Sequence, residues 1–140
     1  MKDSVVIRNK SKVFALDIIA LYKSLCEEKR EFVLSKQILR SGTSIGANVV
    51  EASNAQTDAD FLAKMYIALK EAGETQYWLE LLFESDYIDK NQFEKLNGEC
   101  FELVKLLTST TKTLKERMSM TKKITANSKL QTQNSKLQTI

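Results

Sequence analysis

The chain contains no proline among its 140 residues and only four glycines. These two residue types supply most tight turns and break most helices. A chain this poor in both has few places to turn, which predicts a small number of long helices. Its length is enough for one domain with its own hydrophobic core.

Apolar periodicity divides the chain into four such segments. The first begins at Asn9 or Ser11 and ends near Glu28. Phe14, Ile18, Leu21 and Leu25 recur at spacings of four and three, with Ala15, Ile19, Tyr22 and Cys26 as a second stripe beside them. Two adjacent stripes give the broad buried face of a bundle helix. After the charged run EEKRE at 27–31, a second helix begins near Leu34 or Ser35 and carries Ile38, Gly42, Ile45, Val49 and Ala52. Gly42 and Gly46 each cost about 1 kcal/mol of helix propensity relative to alanine. Close approach of a neighbouring helix is the expected compensation. The stretch ASNAQT at 52–57 reads as a fraying end or a loop.

The third helix is capped by Thr57 or Asp58 and repeats Leu62, Met65, Leu69, Ala72, Gln76, Leu79 and Phe83. A second line follows Ile67, Glu71, Glu74, Trp78 and Leu81. Asp89 with Gln92 three residues on forms a capping box for the fourth helix, which carries Phe93, Leu96, Cys100, Leu103, Leu107, Thr110 and Leu114. That helix is expected to extend past Met118 as a basic, solvent-facing end. Short connections make neighbouring helices antiparallel. The predicted fold is all-α: an antiparallel up-down four-helix bundle over residues 1–120, followed by a flexible basic tail over 121–140. The tail ends in a seven-residue echo, NSKLQTQ then NSKLQTI. One leucine per seven residues is half a coiled-coil seam, so the segment reads as disordered, with a marginal helix as the alternative.

Histidine is absent. Hydrolytic triads, histidine zinc sites and Glu-x-x-His iron sites each lose a required part. No cofactor or catalytic residue is predicted. Cys26 and Cys100 both lie on apolar stripes and read as reduced core residues. The N-terminal residues lack the apolar run of a signal peptide, and no apolar run reaches membrane-spanning length; the expectation is a cytoplasmic protein without a membrane partner.

Charge is distributed unevenly. Residues 1–111 carry a net −3, whereas 112–140 carry +6, with Glu116 the one acidic residue. Lys112, Lys115, Arg117, Lys122 and Lys123 form a cluster in which Lys112, Lys115 and Lys122 share a helix face. No aromatic residues interleave, so phosphate contact without base stacking is the functional reading; a solvated helix end is the structural one. Arg8, Lys10 and Lys12 carry the same ambiguity.

Three further features admit two readings. Ser41, Ser44, Asn48 and Glu51 share one face of the second helix, as an oligomer or helix–helix contact or as a solvated face. Glu71 and Glu74, with Glu51, either cluster as carboxylates or pair with cations of a neighbour. Trp78 is either bundle core or subunit interface, and the second apolar line on its helix favours the interface.

Two stretches carry a family resemblance: RSGTSIGANVVEA at 40–52, and FLAKM at 61–65 continuing to ALKEAGETQYWL at 68–79. Over about residues 8–118 they resemble the bacterial four-helix-bundle family encoded in intervening sequences of large-subunit ribosomal RNA genes. That family is in turn similar to the accessory proteins of diversity-generating retroelements. The resemblance implies a homopentamer around a central channel. From the retroelement side it implies RNA or DNA binding and association with a reverse transcriptase. The acidic body departs from those strongly basic relatives. Two functions therefore stand: a nucleic-acid-associated oligomer, or a protein-interaction scaffold without nucleic-acid affinity.

Overall fold

The computed structural model describes residues 2–138, as four helices: α1 (Lys2–Glu27), α2 (Leu34–Ser53), α3 (Asp58–Glu84) and α4 (Lys90–Gln138). Pairs of residues across the seams give the topology directly. Between α1 and α2, Gly42 lies against Ile18 and Gly46 against Ser11. Between α2 and α3, Arg40 pairs with Glu74 and Glu51 with Lys64. Between α3 and α4, Phe83 packs on Phe93, and the Cys100 thiol donates to the Ala72 carbonyl. Lys10 pairs with Glu102, and Asp17 with Lys95, across α1 and α4. In every case the number rises on one helix as it falls on the next, so all four neighbours are antiparallel and the ring closes up-down-up-down. The α1/α4 seam is the thinnest of the four.

The core is built from the apolar stripes. Phe14, Ile18, Leu21 and Leu25 of α1 are buried, as are Ile38, Ile45, Val49 and Ala52 of α2 and Leu96, Cys100, Leu103, Leu107 and Leu114 of α4. On α3 the buried line is Met65, Ala68, Ala72, Thr75, Leu79 and Leu82, which leaves Leu62, Leu69 and Phe83 half-buried at its edge. The sequence stripe on this helix was turned by part of a residue, because small Ala68 and polar Thr75 sit at the centre. Gly42 is where α1 and α2 come closest: a methyl group there would lie 2.9 Å from both branches of Ile18.

The helix ends follow local chemistry. Thr57 accepts from the Asp60 N–H at 3.1 Å. Asp89 and Gln92 form both arms of the capping box, at 2.8 and 3.2 Å. The start of α2 uses a residue the sequence reading passed over. Glu31, inside the charged run, is buried, and its carboxylate accepts from the N–H groups of Val33, Leu34 and Ser35. Burial alone would raise its pKa; the three backbone donors outweigh that and hold it below the ordinary 4.5.

One boundary differs from expectation. α1 begins at Lys2 rather than near Asn9, because Ile7 is buried and continues the stripe one turn before Ser11. At the other end α4 runs past residue 120 to Gln138, which is the marginal-helix alternative for the 121–140 tail. Leu114 is its last buried residue, and 119–136 are exposed throughout. The extension is a tail in its packing and a helix in its backbone. Thr139 and Ile140, the end of the seven-residue echo, lie outside the described residues.

Candidate oligomer and nucleic-acid surfaces

Of the six residues expected at an oligomer contact, Glu51, Glu71 and Glu74 pair across the α2/α3 seam. Arg40 organises one end, with Nη2 at 2.9 Å from Glu74 Oε1 and Nη1 at 3.8 Å from Glu71 Oε1. Lys64 Nζ holds Glu51 Oε2 at 2.8 Å at the other. Glu71 and Glu74 therefore share the Arg40 guanidinium while Glu51 is held by Lys64, an ion-paired arrangement. Among the described residues no group of three or more Cys, Asp or Glu side chains could hold a metal ion.

The polar line on α2 is satisfied largely by its own helix. Ser44 Oγ donates to the Arg40 carbonyl at 2.6 Å, and Asn48 Nδ2 to the Ser44 carbonyl at 2.8 Å. Ser41 turns inward instead. It is buried, and its hydroxyl lies 2.8 Å from that of Thr75 on α3. The line therefore splits into a helix–helix contact at Ser41 and a half-exposed edge from Ser44 to Glu51.

Two polar atoms in this seam are buried without a hydrogen-bond partner: Glu71 Oε2 and Trp78 Nε1. Trp78 packs its ring against the core cluster and against Tyr77, with centroids 5.3 Å apart. Along the same helix, α3 exposes Tyr77 beside it and Tyr66 and Ile67 about three turns earlier. Buried polar groups without partners are uncommon, and an aromatic-rich exposed flank is an interface composition.

The predicted nucleic-acid contacts lie elsewhere. Lys112, Lys115, Arg117, Lys122 and Lys123 are all exposed on the outer part of α4. Because the helix continues, sequence spacing becomes spatial register: Lys115, Lys122, Lys129 and Lys136 recur every seven residues along one side. A spacing of seven acquires this meaning only through the helix. The N-terminal group behaves differently. Arg8, Lys10 and Lys12 are exposed, but Lys10 is engaged by Glu102 at 2.8 Å.

A third polar feature sits in the thin α1/α4 seam and had no clear signal in the sequence. Glu99 Oε2 is buried without a donor. Burial, together with the adjacent Asp17 carboxylate that a protonated Glu99 can hydrogen-bond, raises the Glu99 pKa to about 7. Cys100 beside it is fully buried, and its thiol is pushed up to about 12. Both cysteines are free, and Cys26 is half-buried against Ser35 and the Glu31 carbonyl.

The sequence pattern described as 23S rRNA-intervening sequence protein matches residues 3–109. The chain belongs to this family. It is also similar to a crystal structure of a protein of unknown function from the S23 ribosomal protein family of Bacteroides thetaiotaomicron. The identity is 55% and the TM-score 0.78, covering 79% of this chain and 98% of that one. Among curated proteins, none is similar enough to this chain to count as a match. The family pattern ends at residue 109, within the bundle part of α4, so the basic extension lies beyond it. Among the described residues no helix is long and apolar enough to cross a membrane.

Proposed function

We propose that this intervening-sequence family member is a non-enzymatic, self-assembling bundle that holds RNA or DNA by its phosphate backbone through the helical extension of α4. The observation that carries the reading is the segregation of charge onto one exposed helix. Seven of the 21 Lys and Arg residues lie from 112 onward, against one acidic residue, while the bundle is net acidic. Phosphates would be drawn to the extension and repelled from the body. With no aromatic residue after Phe101, bases have nothing to stack on, so contact is expected to be independent of sequence. Assembly of copies through the α2/α3 edge around Trp78, as the pentamer that the resemblance implies, multiplies the number of extensions per particle and steepens the salt response.

The test is a titration of the full chain with labelled duplex DNA and structured RNA, at about 50 and 200 mM salt. The comparison variant has Lys112, Lys115, Arg117, Lys122 and Lys123 changed to Glu. Binding that weakens steeply with salt and is lost in the variant is the expected result. A protein that binds neither nucleic acid at low salt overturns the reading. One observation favours a second function, a protein-interaction scaffold. The exposed aromatic and apolar side chains of α3, Tyr66, Ile67 and Tyr77, suit a protein surface.

A further inference from the structure

The α4 extension sorts its charges around the helix as well as along it. At 3.6 residues per turn, Lys122, Lys129 and Lys136 fall about 20–60° to one side of Lys115, and Lys112 and Lys123 about 60–80° to the other. Six of the seven basic residues from 112 onward therefore share an arc of about 140°. Arg117 lies on the opposite side, and Glu116 falls just outside the arc. The arc consists of two lysine rims with a strip between them. Ser119 and Ala126 occupy the strip, and both are short and exposed. Along the axis, the lysines of the longer rim are about 10.5 Å apart, and Lys115 to Lys136 span about 31 Å. That span is just under one turn of B-form DNA, which is about 34 Å.

Single and double strands ask different things of such a surface. A single strand is flexible, and proteins that hold one offset the cost of ordering it by stacking bases on aromatic side chains. No aromatic residue follows Phe101. A double helix is already stiff, and its phosphates form two walls beside each groove. Groove width then selects the form. An α-helix with its side chains is about 10–12 Å across, and the major groove of B-form DNA is about 12 Å wide. The major groove of A-form RNA is too narrow for side chains to enter. Lysine rims on either side of short side chains match that shape: the strip goes in, and the rims meet the walls.

We infer that the α4 extension seats in the major groove of double-stranded B-form DNA, with Lys115, Lys122 and Lys129 on one phosphate wall and Lys112 and Lys123 on the other. The inference rests on the phosphate-binding reading proposed above and narrows it to one form of duplex. Ser119 and Ala126 cannot make the bidentate contacts that read a base pair, so the strip gives fit without sequence preference.

Competition binding of the full chain at about 50 mM salt tests this. The probes are a DNA duplex of about two turns, an RNA duplex of the same sequence and an oligo-dT strand of equal charge. The DNA duplex is expected to bind roughly tenfold more tightly than either of the others. An RNA duplex or a single strand bound as tightly as the DNA duplex overturns the groove seating and leaves the phosphate reading in place. A protein that binds none of the three overturns both. A pair of variants tests the strip itself. Ala126→Phe fills it without changing the charge and is expected to weaken DNA-duplex binding several-fold. Gln131→Phe adds the same bulk on the opposite side of the helix and is expected to change nothing. Both positions are exposed beyond the last buried residue of α4, so neither change disturbs the bundle. Equal affinities for the two variants place the DNA outside the strip and overturn the proposal.

Discussion

Glu31 shows how one side chain can set the start of a helix from outside it. Its carboxylate takes three backbone N–H groups that α2 would otherwise leave without partners, and no side chain within α2 caps them. Glu31→Ala is expected to cost about 2 kcal/mol, from the loss of charged hydrogen bonds to buried donors. The measurement is urea unfolding at pH 7. The pH dependence has a definite sign. The folded pKa lies below the ordinary 4.5, so the stabilisation is fully present above about pH 4.5 and is lost as pH falls through the folded value. The gap between parent and variant should therefore narrow on acidification; a gap that stays constant down to pH 3 would mean that Glu31 acts by packing alone. The two glycines of α2 offer a second contrast at this scale. A methyl at 42 meets Ile18 at 2.9 Å, whereas one at 46 meets Ser11 Oγ at 3.4 Å. Gly42→Ala should destabilise by roughly 1–3 kcal/mol of overpacking, reduced by about 1 kcal/mol of recovered helix propensity. Gly46→Ala should be neutral or slightly stabilising. Thermal melts of the two variants side by side decide it.

At the scale of elements, what was legible in the sequence depended on whether the signal was local. The caps at Thr57 and Asp89, the stripes of α1, α2 and α4, and the four-helix count all rest on spacings of three and four, and the structure keeps them. The α3 stripe was misplaced because Ala68 and Thr75, its central buried residues, carry no apolar signature. Glu31 was missed because a capping carboxylate inside EEKRE looks like any other charge in a solvated run. The ion pairs of Arg40 with Glu71 and Glu74 needed the α2/α3 register, which brings together residues far apart in sequence, 34 positions for Arg40 and Glu74. For the extension the sequence left a marginal helix beside disorder, and the structure continues α4 through it from its packed half. This gives a prediction for the element. Stopping the chain after Met118 removes no residue that is buried among the described ones, so the melting temperature of the bundle should change by less than about 2 °C, since surface changes away from buried features stay within about 0.5 kcal/mol. The far-UV helical signal should fall in proportion to the residues removed. A bundle that melts much earlier would show that the extension folds back onto it.

The whole molecule is a ring of four seams, and it is weakest where the chain's two ends meet. α1 and α4 close the bundle with buried Leu21 and Leu96 on the inside and two ion pairs, Lys10–Glu102 and Lys95–Asp17, on the outside. Exposed pairs of this kind contribute little, with a median near 0–1 kcal/mol. Glu99 lies between these layers, and its environment favours the neutral acid. With a folded pKa of about 7 against an ordinary 4.5, the folded state holds a proton that the unfolded chain has released. Stability owed to this group is therefore fully present below about pH 4.5 and declines as pH rises through 7, where an ionised Glu99 must share the seam with Asp17. Glu31 works in the opposite sense at lower pH, so the chain should be most stable in mildly acidic solution. Glu99→Gln keeps the shape and removes the titration. It should leave the melting temperature nearly unchanged at pH 5 and raise it relative to the parent at pH 8, with the crossover between. Equal shifts at both values would mean that the seam is insensitive to the charge of Glu99, and that closure of the ring rests on its apolar contacts alone.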